Sequence, residues 1–411
     1  WTGREAKGAL MWLSDLQIVL PDRVLANGAI CIDGCRIVDI RHKPVRNADV
    51  HAPGLTALPG LIDLHGDMLE REISPRPKAA IPIDLALHEL DKRLVATGIT
   101  TAYAAVSFAW HRSDSIRSEE RAREIMQTVN RLRPHLLADH FVHARFEITN
   151  PSAGLVLKEL LDARQVHLVS IMDHTPGQGQ YRDIEAYIKF AVEWSKRTGE
   201  AYGKSEDEVR AQVAERQSWP KGWDVVREVA KIAQTYDVPL ASHDDDTIAK
   251  VDWVHKIGVN ISEFPVTEEA AAEARRRGLH VAMGAPNALQ GHSLSGNLSA
   301  AAAVASGLVD TLATDYYPAS MLHAMNAFVE RGILPLHEAV KLVSENPADA
   351  LGLHDRGQLA VGKKADIVLV DLRERPRVHG VLRNGEPIYW DVYMARHGTL
   401  PISQHVLEVI S

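Results

Sequence analysis

Eight apolar runs of strand length recur along the middle of the chain, at residues 57–65, 100–106, 141–148, 167–173, 239–243, 260–264, 280–283 and 310–314. Segments of helical length separate most of them. Apolar runs without polar alternation mark strands buried on both faces, as in parallel sheets. Eight strand–helix alternations predict an α/β fold, a closed (β/α)8 barrel of the TIM type. The alternative is a doubly wound open sheet. Its usual phosphate-binding signatures are absent: no G-x-G-x-x-G follows a strand, and no G-x-x-x-x-G-K-[ST] occurs.

Both ends of the chain read differently. Residues 16–20, 29–32 and 36–40 are short β-rich runs broken by turns such as Asp33-Gly34. Residues 367–370 and 378–382, followed by Asn384-Gly385, look alike. The expected organisation is a small β-sandwich domain built from 9–55 and 357–390, and a catalytic barrel over 56–356. Segment 176–222 exceeds a usual strand-to-helix connection; it reads either as a lid insertion or as a surface helical hairpin. Residues 391–411 form a C-terminal tail, read as packing or subunit contact.

Composition narrows the partners. The net charge is −8 with no Lys/Arg-rich run, which argues against nucleic acid. No apolar run reaches transmembrane length, and no secretory leader is recognised. Cys31 and Cys35 are the two cysteines of 411 residues. Their C-x3-C spacing is weak evidence for zinc, and packing within a small sheet is the expected role. So few cysteines suit a reducing compartment, and the cytoplasm is expected. A homo-oligomer is expected as well.

In such a barrel the active site lies at the C-terminal ends of the strands. The first strand ends in His65-Gly66-Asp67, whose two metal-capable side chains point the same way because strand side chains alternate. Later strands end in Glu147, Asp173-His174, His243-Asp244-Asp245-Asp246, Glu263 and Asp315. A single His or Asp at a strand end is most often a cap. Six nitrogen and oxygen donors at the same end of successive strands point to Zn, Mn or Fe. His65, Asp67, Glu147, His174, His243 and Asp315 suffice for two ions about 3.5–4 Å apart that activate a water near neutral pH. Glu147 is the candidate bridge and Asp315 the general base. Candidate substrate contacts are Arg76 and Lys78 in a proline-stiffened loop, Asn287, then His292, Ser293, Ser295 and Asn297 in a donor-rich turn, and Tyr316.

The motifs LPGLIDLHGDMLE (58–70), SPRPK (74–78), SIMDHTPGQGQ (170–180), ASHDDDT (241–247), EFPVTEEAA (263–271), MGAPN (283–287), HSLSGN (292–297) and TDYYPAS (314–320) occur in this order. Together they resemble the amidohydrolase superfamily, and within it the phosphonate-metabolism branch of the carbon–phosphorus lyase pathway. His-x-Asp in place of the usual His-x-His marks that branch. The resemblance implies a metal-dependent barrel hydrolase with a β-sandwich from both termini. Its implied reaction converts α-D-ribose 1-methylphosphonate 5-triphosphate, a phosphorylated sugar, to the 5-phosphate and diphosphate. It carries over the ligand positions His65, Asp67, Glu147, His174, His243 and Asp315. Gly66 and Met68 stand where the branch has Thr and Asn, and three aspartates follow His243 where two are usual. The alternative is an amidohydrolase cleaving a C–N bond, as a deacetylase, deaminase or cyclic amidase does. An inactive scaffold is a third reading, against which all six candidate ligands stand.

Overall fold

The computed structural model describes residues 10–76, 79–108, 116–197, 204–291 and 297–397. The N-terminal strands β1 (Met11–Val19), β2 (Val24–Asp33) and β3 (Arg36–Arg41) form an antiparallel meander. Its second turn needs a left-handed residue, supplied by Gly34 at φ +52°. Strands β4 (Val50–His51) and β5 (Thr56–Pro59) then pair with β1 in parallel.

The chain leaves this sheet at Gly60 and enters the barrel. The single strand expected over 57–65 is therefore two, β5 in one sheet and β6 (Leu61–Gly66) in the other. A Cβ on Gly60 would stand 2.1 Å from Thr100 Oγ1, so only glycine lets the chain cross there.

The barrel continues with β7 (Ile99–Phe108), β8 (Asp139–Glu147), β9 (Leu168–Met172), β10 (Leu240–His243), β11 (Ile261–Glu263), β12 (His280–Gly284) and β13 (Thr311–Ala313). Each pairs in parallel with the next in sequence. The C-terminal strands β14 (Ile367–Asp371), β15 (Arg377–Arg383) and β16 (Glu386–Trp390) return to the first sheet, β14 pairing antiparallel with β5. The architecture is a (β/α)8 barrel beside a second eight-stranded sheet assembled from both termini. Cys31 is buried in that sheet and Cys35 is exposed; neither is in a disulfide.

Closure of the barrel is made by side chains as much as by backbone. Gly66 and Asp315 form a single parallel bridge. Asp315 N–H donates to the His65 carbonyl at 3.0 Å, and Asp67 N–H to the Asp315 carbonyl at 2.7 Å. Beneath them the buried Asp63 carboxylate accepts from Thr314 N–H (2.9 Å), Thr314 Oγ1 (2.5 Å) and His65 N–H (3.2 Å). Lower down, the strands part and residues 342 and 343 fill the gap: Val343 accepts from Ile62 and Leu342 from Leu312.

Segment 176–222 contains the helices Ile184–Arg197 and Glu206–Gln217, the second opened by a Ser205–Glu208 capping box. Their Ile188, Val209 and Val213 form an apolar cluster separate from the barrel core. Polar contacts tie this pair to the barrel mouth: Arg216 Nη2 donates to the His174 carbonyl at 2.7 Å, and Gln217 Nε2 to that of Pro176 at 2.9 Å. Among the described residues, no helix is long and apolar enough to cross a membrane.

Asp63→Ala would strand the Thr314 and His65 amides at the barrel seam. The expected cost is about 2–4 kcal/mol, read as a lowered urea midpoint; an unchanged midpoint would contradict the closure described.

Candidate functional site

Strand alternation sends His143, Arg145 and Glu147 of β8 to the same face, and all three are buried. With His65 from β6, His243 from β10 and Glu263 from β11, they fill the upper barrel with charge. Glu263 sits at the centre and is fully buried. Its Oε1 lies 3.2 Å from His65 Nδ1 and 3.6 Å from His143 Nε2, and its Oε2 lies 3.3 Å from His243 Nδ1. Ser170 Oγ donates to Oε2 at 2.7 Å. Burial opposes the charge, but the three histidines hold the Glu263 carboxyl well below the usual range. The reciprocal effect lifts His65: desolvation is outweighed by Glu263 and Asp67, pushing it up to about 10. Burial dominates at His143, pushed down to about 3.

His174, just past β9, is oriented by Glu147. Its N–H donates to Oε1 at 3.1 Å, and its Nδ1 lies 2.7 Å from Oε2. Its Nε2 faces Asp244 Oδ2 at 3.6 Å. Among the described residues, two sets of donor atoms lie within 4.8 Å of one another, His65–His243–Glu263 and His174–His243–Asp244, sharing His243. Several buried polar atoms here make no hydrogen bond among the described residues: both His65 nitrogens, His143 Nε2, Asp244 Oδ2 and Glu263 Oε1. Buried polar groups are ordinarily satisfied. Unpaired imidazole and carboxylate atoms converging on one region have the chemistry of a divalent-metal site, so the donor set fits such an ion.

The three aspartates after β10 have separate surroundings. Asp244 faces the cavity. Asp245 is buried beneath it and accepts from Ser242 Oγ (2.5 Å) and Ser262 Oγ (2.6 Å). Asp246 accepts from Gly179 N–H at 2.8 Å, fastening the loop after β9. Lys250 Nζ caps the strand end by donating to the His243 carbonyl at 2.7 Å.

Asp244, Phe264 and Asp315, each just beyond a barrel strand, have left-handed backbone at φ +53°, +53° and +55°. For Phe264 this is a costly conformation, of order 1–3 kcal/mol. It brings the ring edge-on to His65 (4.8 Å between centroids) and His243 (5.2 Å), walling off one side of both imidazoles.

The cavity at this strand end, about 260 Å³, is lined by His65, Asp67, Arg145, His243, Asp244 and Asp315 on the barrel side. Asn297, Gln290 and Tyr316 line it elsewhere. Burial and the Asp67 charge push the Asp315 carboxyl up to about 6. Asn287 also lines the cavity, but its amide pins the following loop, donating to the Leu298 carbonyl (3.2 Å) and accepting from Ala300 N–H (3.0 Å). Tyr316 carries the Arg71 guanidinium 5.4 Å from its ring centroid. Arg76 is exposed in its loop and is not among the lining residues. Lys78, His292, Ser293 and Ser295 fall outside the described residues.

Sequence reading passed over His143 and Arg145, although H-A-R-F-E carries a period-2 signal leading to Glu147. It noted Glu263 only as a strand end, because nothing local announces a carboxylate shared by three histidines.

A barrel with a polar, metal-compatible mouth defines a class of hydrolase. The amidohydrolase family model matches residues 92–390, and the chain belongs to that family. The α-D-ribose 1-methylphosphonate 5-triphosphate diphosphatase of Escherichia coli K12 is 35% identical over 392 residues, covering 92% of this chain and 100% of that protein. An adenine deaminase of Gluconobacter oxydans is 40% identical over 74 residues, 18% of this chain and 13% of the deaminase. Among solved structures, N-acetyl-D-glucosamine-6-phosphate deacetylase from Mycobacterium smegmatis has a TM-score of 0.60 at 18% identity, covering 92% of this chain and 99% of its own. Dihydropyrimidinase from Brevibacillus agri has 0.58 at 15%, covering 93% and 95%. These two likenesses are of fold.

Glu263→Gln removes the charge facing three histidines. The expected result is a loss of divalent-ion affinity of about 10–100-fold, measured by competition with a chromophoric chelator. Unchanged affinity would mean that Glu263 does not govern the centre.

Proposed function

We propose that this chain hydrolyses α-D-ribose 1-methylphosphonate 5-triphosphate to the 5-phosphate and diphosphate, as a metal-dependent step of phosphonate degradation. The observation that carries this is identity of 35% along the whole length of the E. coli diphosphatase. The deaminase match of 18% of the chain gives C–N cleavage much weaker support.

In this reading the barrel expected over 56–356 is catalytic, less β5 (Thr56–Pro59), which belongs to the terminal sheet. The small β domain from 9–55 and 357–390 supports it, and segment 176–222 covers its mouth. Metal binding draws on His65, Asp67, Glu147, His174, His243 and Asp315, to which the geometry adds Asp244 and Glu263. The donors suit zinc, manganese or iron. A divalent ion supplies positive charge for the phosphoryl oxygens and acidifies the attacking water. Asp315, whose carboxyl lines the cavity, takes the proton from that water as it attacks phosphorus. Arg145 adds a fixed positive charge in the same wall, where anionic phosphoryl oxygens gain most from it. Asn297 and Tyr316 offer hydrogen bonds to the sugar and phosphate oxygens. The two free cysteines suit the cytoplasm, where such a phosphorylated sugar would be met.

Metal-loaded protein should release diphosphate from this triphosphate and leave N-acyl and cyclic amides untouched. Amide turnover without diphosphate would overturn the assignment. Asp315→Asn should keep its fold while kcat falls about 10²–10⁴-fold, with metal content measured alongside; near-normal kcat would remove Asp315 as the base.

A further inference from the structure

Arg145 lines the cavity without being one of the proposed metal ligands. Its side chain is 8% exposed. Its Nη1 donates to Asp67 Oδ1 at 2.7 Å, its Nε to Met172 Sδ at 3.2 Å, and its Nη2 to His243 Nε2 at 3.4 Å. The same Asp67 oxygen lies 3.5 Å from His65 Nε2. The carboxylate just past β6 is therefore already shared between a guanidinium and His65. That cation is permanent, because guanidinium does not lose its proton in proteins.

The pairing also gives the aspartate of His-x-Asp a reason. A carboxylate is charged and has two oxygens, so it matches a buried guanidinium. A neutral imidazole at position 67 would leave the charge of Arg145 without its partner in the cavity wall, at a large desolvation cost. A divalent ion at this end would sit against a like charge in a poorly solvated pocket. At the other end, His174 Nε2 faces Asp244 Oδ2, and that oxygen makes no hydrogen bond among the described residues.

We propose that the centre holds one divalent ion, on the His174–Asp244 side, and that Arg145 stands where a second ion would otherwise bind at the His65–Asp67 end. Six candidate ligands pointed to two ions; the guanidinium reduces the requirement to one. The inference rests on the site being a metal centre and is independent of which substrate it serves.

The test is to load the full chain with Mn(II), remove loosely held ion by gel filtration, and measure manganese per chain by mass spectrometry together with the electron paramagnetic resonance spectrum. One ion per chain with an uncoupled spectrum is expected for the wild type and for Arg145→Lys, which keeps the charge. Arg145→Met should admit a second ion and show an exchange-coupled pair. Two coupled ions in the wild type or in Arg145→Lys would overturn the proposal, even if the Met variant fails to fold. A folded Met variant that stays at one ion would overturn the role of Arg145. A wild type that retains no manganese, zinc or iron would overturn the metal-centre reading itself.

Discussion

The site exists because the first and last barrel strands are fastened at their C-terminal ends. Asp63, buried at that seam, receives three hydrogen bonds from Thr314 and His65. The Gly66–Asp315 bridge lies just above. Gly66 is required there: a Cβ would come within 2.7 Å of Asp63 Oδ2 and 2.8 Å of Met68 Cε. This closure sets His65 and Asp67 beside Asp315, residues some 250 positions apart in the chain. The substituted Gly66 and Met68 of the His-x-Asp motif are thus part of one packing solution, in which the missing side chain at 66 makes room for the methionine at 68.

Electrostatics imposes the second condition. A fully buried carboxylate is expensive unless it is paired. Glu263 meets that condition with three imidazoles and a serine hydroxyl. The imidazoles are fixed in return, two of them further held by the Phe264 ring on its strained backbone. Asp245 and Lys250 do comparable work beneath β10. The inner barrel is thus a rigid frame of compensated charge, and the unpaired donor atoms appear where a cation would be drawn in.

Much of the barrel was legible because buried parallel strands leave apolar runs that need no tertiary information to see. The division of 57–65 into two strands was not, since it depends on how closely Gly60 packs on Thr100. Strand ends named most of the polar residues at the mouth, but not their surroundings. Asp244, Asp245 and Asp246 are equivalent in sequence and separated only by a left-handed φ at the first of them. Arg76 illustrates the limit of loop reading: its motif is distinctive, yet the side chain is exposed and Arg145, on a strand, supplies the cation at the cavity wall. Where neighbouring side chains set the role, as for Glu263, the sequence offered only the residue's type and position.

The central claim is that this strand-end centre hydrolyses a phosphoric anhydride. Phosphorus NMR of the metal-loaded chain acting on α-D-ribose 1-methylphosphonate 5-triphosphate in oxygen-18 water tests it most directly. The account predicts a diphosphate resonance and a 5-phosphate product in equal amounts, with the heavy oxygen in one of them and the phosphonate signal intact. Stepwise appearance of inorganic phosphate, or an unchanged triphosphate, would contradict it.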